Sequence, residues 1–134
     1  MTAAAPTVAP VRQGRRLRIR HLWLVPGLAL AFYANAQSQL HGLGIVPLLV
    51  FGILPHVPAL GALQAIPLFN ATHHPFVPLV VIAVSATILP IPLLVVGGLA
   101  WLSHIVVDWA LGDGIRRRDG SRPAPTSLIP DLAG

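Results

Sequence analysis

Apolar positions in this chain run in long blocks, and the blocks are separated by short clusters of polar residues, glycine and proline. From residue 21 to residue 107 there is no Asp, Glu, Lys or Arg. A stretch of that length exceeds the core of a soluble domain this small, and lipid is the solvent it implies. One crossing takes about 20 apolar residues at about 1.5 Å each, so the stretch holds about four crossings joined by short turns. The first covers about 21–36, with Trp23 and Tyr33 near its ends, where amphipathic rings favour the membrane interface. Gln37, Ser38, Gln39, His41 and Gly42 then form an outer loop, and 43–54 supplies a short second crossing. Pro55, Pro58 and Gly61 mark an inner turn, because proline lacks an amide donor and disfavours helix in the residue before it. The third crossing, about 62–87, contains Pro67, Pro75 and Pro78 and is expected to be kinked or broken, as helices that line a cavity at membrane depth often are. Pro90 and Pro92 mark the next turn, and 93–112 is the fourth crossing, where Gly97 and Gly98 let a neighbouring helix approach closely. The expected fold is all-α: a polytopic membrane protein, a bundle of about four transmembrane helices with a kinked third.

Charge orients that bundle. All nine basic residues are arginines, placed before the apolar region (Arg12, Arg15, Arg16, Arg18, Arg20) and just after it (Arg116, Arg117, Arg118, Arg122). The positive-inside rule puts both flanks in the cytoplasm, which requires an even number of crossings. The expected organisation is a basic cytoplasmic tail over 1–20, a helical membrane domain over 21–112, and a second cytoplasmic tail over 113–134, basic and then rich in Pro and Ser. A competing reading takes the apolar run from Leu22 to Phe32, followed by Ala34-Asn35-Ala36, as a cleaved signal peptide that leaves three crossings. Composition agrees with the membrane class, at 54% hydrophobic and 10% charged. The net charge of +5 suits anionic lipid headgroups. No nucleic-acid partner is expected, since without the apolar region only two tails remain. The absence of cysteine removes disulfides, iron–sulfur clusters and thiolate metal sites. There is no internal repeat, phosphate-binding loop, dinucleotide fingerprint or nucleophile elbow.

The chemistry lies in the polar residues inside the apolar region. A centrally placed Asp costs about 2.5–3.5 kcal/mol to insert and calls for a reason. His104 and Asp108 are four residues apart, so they share one helix face, and an imidazole with a carboxylate suits zinc, iron or manganese. The third crossing adds Asn70, His73 and His74, with Asn70 one turn before either histidine and able to hydrogen-bond one of them. His56 stands at the inner end of the second. His56, His73, His104 and Asp108 are the candidate metal ligands, and Asn70 and His74 the supporting polar residues. Depth is the difficulty: His73 falls nearer mid-membrane than the others unless the Pro67 kink repositions it.

The runs ILPHVPALG, LFNATHHPFVPL and AWLSHIVVDWALGDGIR resemble the bacterial membrane family known as domain of unknown function 4260. Its pattern is a Leu-Pro-Asp turn, then Tyr-Asn-x-x-His, then Trp-x-x-His-Ile-x-x-Asp-Arg-x-x-Gly-x-Gly. The likeness covers about residues 17–118 and implies roles for Asn70, His73, Trp101, His104, Asp108, Gly112 and Gly114, favouring His73 over His74. The chain departs from it at His56, where the family has Asp, at Trp109, where it has Arg, and at Asp113, where it has Tyr. The first change keeps a metal ligand; the second removes a basic partner for Asp108.

The functional expectation is a multi-pass protein of the cell membrane with a divalent-metal pocket at its inner side, supporting metal-assisted hydrolysis of a lipid-type substrate. With no Glu in the chain, Asp108 has to serve as ligand or as base. Two other readings use the same residues. One is a non-catalytic scaffold whose polar side chains are interhelical glue worth about 0.6–2 kcal/mol each. The other is a carrier or proton pathway, which as a homo-oligomer would make up for the few helices in one chain.

Overall fold

The computed structural model describes residues 21–59 and 66–116. The tail expected over 1–20 lies outside the described residues, as does all of the second tail after Arg116. The described residues form helices and turns: α1 (Leu24–Leu40), α2 (Val46–Ile53), a 3-10 segment (Leu54–Ala59), α3 (Ile66–Thr72), α4 (Phe76–Thr87) and α5 (Pro92–Leu111). The all-α expectation therefore holds.

Every one of these α-helices carries a proline in its first turn: Pro26, Pro47, Pro67, Pro78 and Pro92. First-turn amides have no partner within the helix, so a residue without an N–H loses nothing there, and its fixed φ suits helix initiation. Pro67 therefore opens α3 instead of kinking it. The break falls later, at 73–75, where α3 and α4 are bent by 45°. Pro75 lies at that break, just before α4 begins.

The first expected outer loop is corrected in detail. Gln37, Ser38 and Gln39 belong to α1, since Gln is a good helix former and nothing interrupts the helix until Gly42 and Gly44, whose φ values of 67° and 64° suit glycine. Ser38 is fully buried and donates its hydroxyl proton to the Gly44 carbonyl, tying the helix end to the loop.

α5 is the axis of the packing and touches α1, α2 and α4. Gly27 faces Val107 while Ala34 clusters with Leu99 and Ala100, so α1 runs antiparallel to α5. α4 also runs antiparallel, with Pro78 and Ile82 against Gly98 and with Ser85 near Pro92 and Val95. α2 runs parallel, bringing Phe51 to Gly97 and the 3-10 segment to His104. The close approach expected at Gly97 and Gly98 is present, since a Cβ on Gly97 would lie 2.6 Å from the Phe51 ring and one on Gly98 2.6 Å from Ile82 Cγ1. Ser103 adds a buried interhelical hydrogen bond of 2.8 Å to the Gly27 carbonyl.

Outward, the helices present large apolar side chains, among them Leu28, Phe32, Leu49, Ile53, Leu79 and Leu89. So many exposed apolar side chains among the described residues are what a lipid- or protein-facing surface carries. By length and composition, the described helices include one candidate crossing, or two. α5 is long and apolar enough to cross a membrane, and the bent pair α3–α4 makes a second if it is one span. α1 has 17 residues with a polar last turn and a half, and the apolar helix Val46–His56 is shorter still.

Gly97→Ala should destabilise the fold by about 1–3 kcal/mol, the usual cost of overpacking. Gly52→Ala, where a Cβ would meet nothing within 4 Å, should be neutral or slightly stabilising. Thermal unfolding of both variants in one detergent checks the contrast.

Candidate metal centre

Asp108 stands in the last turn of α5, directly beneath His104. The helix ends just beyond, because Gly112 adopts the left-handed conformation at φ 92° and its N–H reaches the Asp108 carbonyl at 2.8 Å, with the Asp113 N–H on the same oxygen at 2.8 Å. Gly112 is thus a cap whose geometry only glycine adopts freely, which accounts for its place among the residues the resemblance marks.

The break between α3 and α4 resolves the depth difficulty. α3 stops at Thr72, and His73, fully buried, lies at the level of Asp108 with Nε2 3.4 Å from Oδ2. His104 Nε2 lies 3.1 Å from the same oxygen. His56, on the 3-10 segment, sets its ring edge-on to His104 with centroids 4.4 Å apart, and 5.6 Å from the His73 ring. One ligand atom from each of these four residues lies within 4.8 Å of every other. His56 is the more open side of the group, whereas His73 and Asp108 are buried.

The four candidate ligands lie together, but the two supporting residues do something else. Asn70 bonds no histidine. Its Nδ2 donates to the Arg116 carbonyl at 2.8 Å and its Oδ1 accepts the Arg116 N–H at 2.8 Å, so one amide clamps the main chain beyond α5 onto α3. His74 points elsewhere and accepts the Phe76 N–H through Nδ1 at 3.2 Å, at the start of α4.

Other contacts position His73. Its Nδ1 lies 2.9 Å from the Phe69 carbonyl, which can only accept, so Nδ1 carries a proton. The ring stacks on Phe69 at 3.9 Å and 18°. The Thr72 hydroxyl lies 2.9 Å from the Phe69 carbonyl and 3.3 Å from the Pro55 carbonyl, linking α3 to the segment that bears His56. Trp101 donates its indole N–H to the Thr72 carbonyl at 2.7 Å, so it joins α5 to the turn that carries His73. Thr72 and Phe69 carried no signal in the sequence, because their roles come from backbone carbonyls and ring stacking that no spacing rule records.

The chemical consequence follows from the tautomer. With its proton on Nδ1, a neutral His73 turns a lone pair towards a carboxylate oxygen, and two acceptors at 3.4 Å repel unless a cation or a second proton lies between them. Nε2 of His73, Nε2 of His104 and Oδ2 of Asp108 are all buried, and none makes a hydrogen bond. Ligands about 2.0–2.1 Å from a tetrahedral ion stand about 3.3–3.4 Å from one another, close to the two separations from Asp108 Oδ2, 3.4 and 3.1 Å. The group has the donor types and spacing to hold a divalent metal ion, with the His73–Phe69 contact as the outer hydrogen bond that ligating histidines typically make.

Asn70→Ala should leave the four ligands in place but free the Arg116 main chain. Hydrogen exchange at the Arg116 amide should speed up markedly, with a loss of about 1–3 kcal/mol in stability. Compared with known protein families, with curated proteins and with solved structures, the chain matches none of them.

Proposed function

We propose that this chain is a multi-pass protein of the cell membrane that binds one divalent metal ion, zinc, iron or manganese, through His73, His104, Asp108 and His56 at the end of the bundle where α5 finishes. The observation that carries the reading is the convergence of three buried, unbonded ligand atoms at near-ligand spacing. The resemblance described above marks three of the same four residues. In the membrane, α1, α2 with its 3-10 extension, the bent α3–α4 pair and α5 would make about four short crossings, and the packing of Gly27 and Ala34 into the bundle supports a retained first segment. Arginine clusters on both flanks orient this end of α5 to the cytoplasm.

A divalent metal supplies Lewis acidity and activates water near neutral pH, which makes hydrolysis of a lipid-type substrate the reaction this site suits. His73, His104, Asp108 and His56 would hold the ion, and substrate would enter past His56, the more open of the four. A second reading has one support of its own: Asn70, Trp101 and Ser103 act as interhelical and main-chain glue, and the His–Asp group would then be a buried ion pair with doubly protonated imidazole.

Elemental analysis of detergent-purified protein separates the two readings. Wild type should carry near-stoichiometric metal, and His104→Ala and Asp108→Ala should lose it while eluting as folded protein in size exclusion. A wild type that holds no metal, and takes up none on reconstitution, leaves the ion-pair reading. For topology, the cysteine-free chain suits single-cysteine labelling. A cysteine at His41 should react with an impermeant reagent from outside the cell, and one at Pro125 only after the membrane is opened.

A further inference from the structure

Thr72 immediately precedes His73 in the chain, and Pro55 immediately precedes His56. The Thr72 hydroxyl lies 3.3 Å from the Pro55 carbonyl, so one side chain joins the two backbones where they deliver two of the four candidate ligands.

Lone pairs decide where the hydroxyl proton goes. The Phe69 carbonyl, 2.9 Å from the hydroxyl, already accepts the His73 main-chain N–H at 3.0 Å and the His73 Nδ1 proton at 2.9 Å, and a carbonyl oxygen has two lone pairs. Nδ1 also lies 3.2 Å from the Thr72 oxygen, which can accept a share of the ring proton and keep its own hydrogen for another acceptor. The Pro55 carbonyl has the capacity. In a 3-10 turn it would be met by the amide of residue 58, but residue 58 is proline and has no N–H. Pro55 is fully buried, where an unmet carbonyl is costly. Thr72 thus supplies from α3 the donor that Pro58 cannot supply within its own turn.

His56 is the ligand that depends most on this tie. His104 and Asp108 share α5 and are spaced by its helical turn, and His73 is held by the Phe69 carbonyl. His56 stands on the 3-10 segment, the more open of the four, with its ring 4.4 Å from that of His104 and 5.6 Å from that of His73. We propose that Thr72 is a positioning residue of the metal centre, whose hydroxyl holds the 3-10 segment against the turn that carries His73 and so places His56 as the fourth ligand. This rests on the metal reading above.

The test loads cobalt(II) into detergent-purified full-length protein. Its visible absorption reports the ligand set, competition with a chelator gives the affinity, and size exclusion confirms folding. Thr72→Ser keeps the hydroxyl, Thr72→Val keeps the branched shape without it, and Thr72→Ala removes it with a better helix former. His56→Ala removes the ligand itself. Thr72→Ser should match wild type. Thr72→Val and Thr72→Ala should lose affinity about tenfold or more and take on the spectrum of His56→Ala. Thr72→Val combined with His56→Ala should bind no more weakly than His56→Ala alone, because one change acts through the other. Wild-type spectrum and affinity in the hydroxyl-free variants, or losses that add in the double variant, would overturn the proposal. So would misfolding of both hydroxyl-free variants while Thr72→Ser folds, which makes Thr72 a folding residue. His56→Ala behaving as wild type would also overturn it, leaving a metal held by the other three residues. A wild type that takes up no cobalt would overturn the metal reading as well.

Discussion

The carboxylate of Asp108 is the constraint on which the described structure turns. It is buried at the end of the longest apolar helix, and a buried charge is tolerated only when something opposite in sign meets it. Two imidazole nitrogens approach its Oδ2, one from its own helix and one from the turn after α3, and a third histidine stands alongside. Bringing His73 to that oxygen requires α3 to stop at Thr72 and the chain to turn before α4. Keeping it there requires the Phe69 carbonyl on Nδ1, the Trp101 indole on the Thr72 carbonyl and the Phe69 ring behind the imidazole. The broken helix and its small supporting contacts thus serve one buried charge.

The helices are built for close approach. Gly27, Gly97 and Gly98 remove side chains where neighbours touch, and Ser103 closes a hydrogen bond over one such contact. This is the packing that association within lipid favours, because apolar side chains gain little by leaving hydrocarbon for one another while van der Waals fit and buried polar contacts still count. The large apolar side chains turned outward belong to the same economy. Placing each proline in a first turn lets a chain with 14 prolines still form helices, because the missing donor falls where no acceptor waits.

A site at the end of such a bundle combines two environments. His73 and Asp108 lie in a low-dielectric interior, where charge interactions are strong. The site's more open side is at His56, on the 3-10 segment.

Much of this was legible in the residues alone. Helical class, the close approach at Gly97 and Gly98, the interruption in the 62–87 stretch and the four residues of the His–Asp group all follow from composition, proline placement and the cost of polar side chains among apolar ones. Three things were not legible. The first helix runs on through Gln37–Gln39, because polarity alone does not stop a helix that no glycine or proline interrupts. Asn70 holds a backbone segment 46 residues away rather than a neighbouring histidine, and local spacing cannot anticipate a partner that only folding brings near. The tautomer and aim of His73, and the stacking of Arg116 on the ring behind it, likewise depend on carbonyls and ring planes from separate elements. The sequence by itself determined which side chains could not be left in an apolar interior unaccompanied, since that is a property of each residue and its neighbours along the chain. Which partner each one met was decided by the tertiary structure, because hydrogen bonds, ring stacking and ligand spacing require angles and distances set by how the helices break, cross and end.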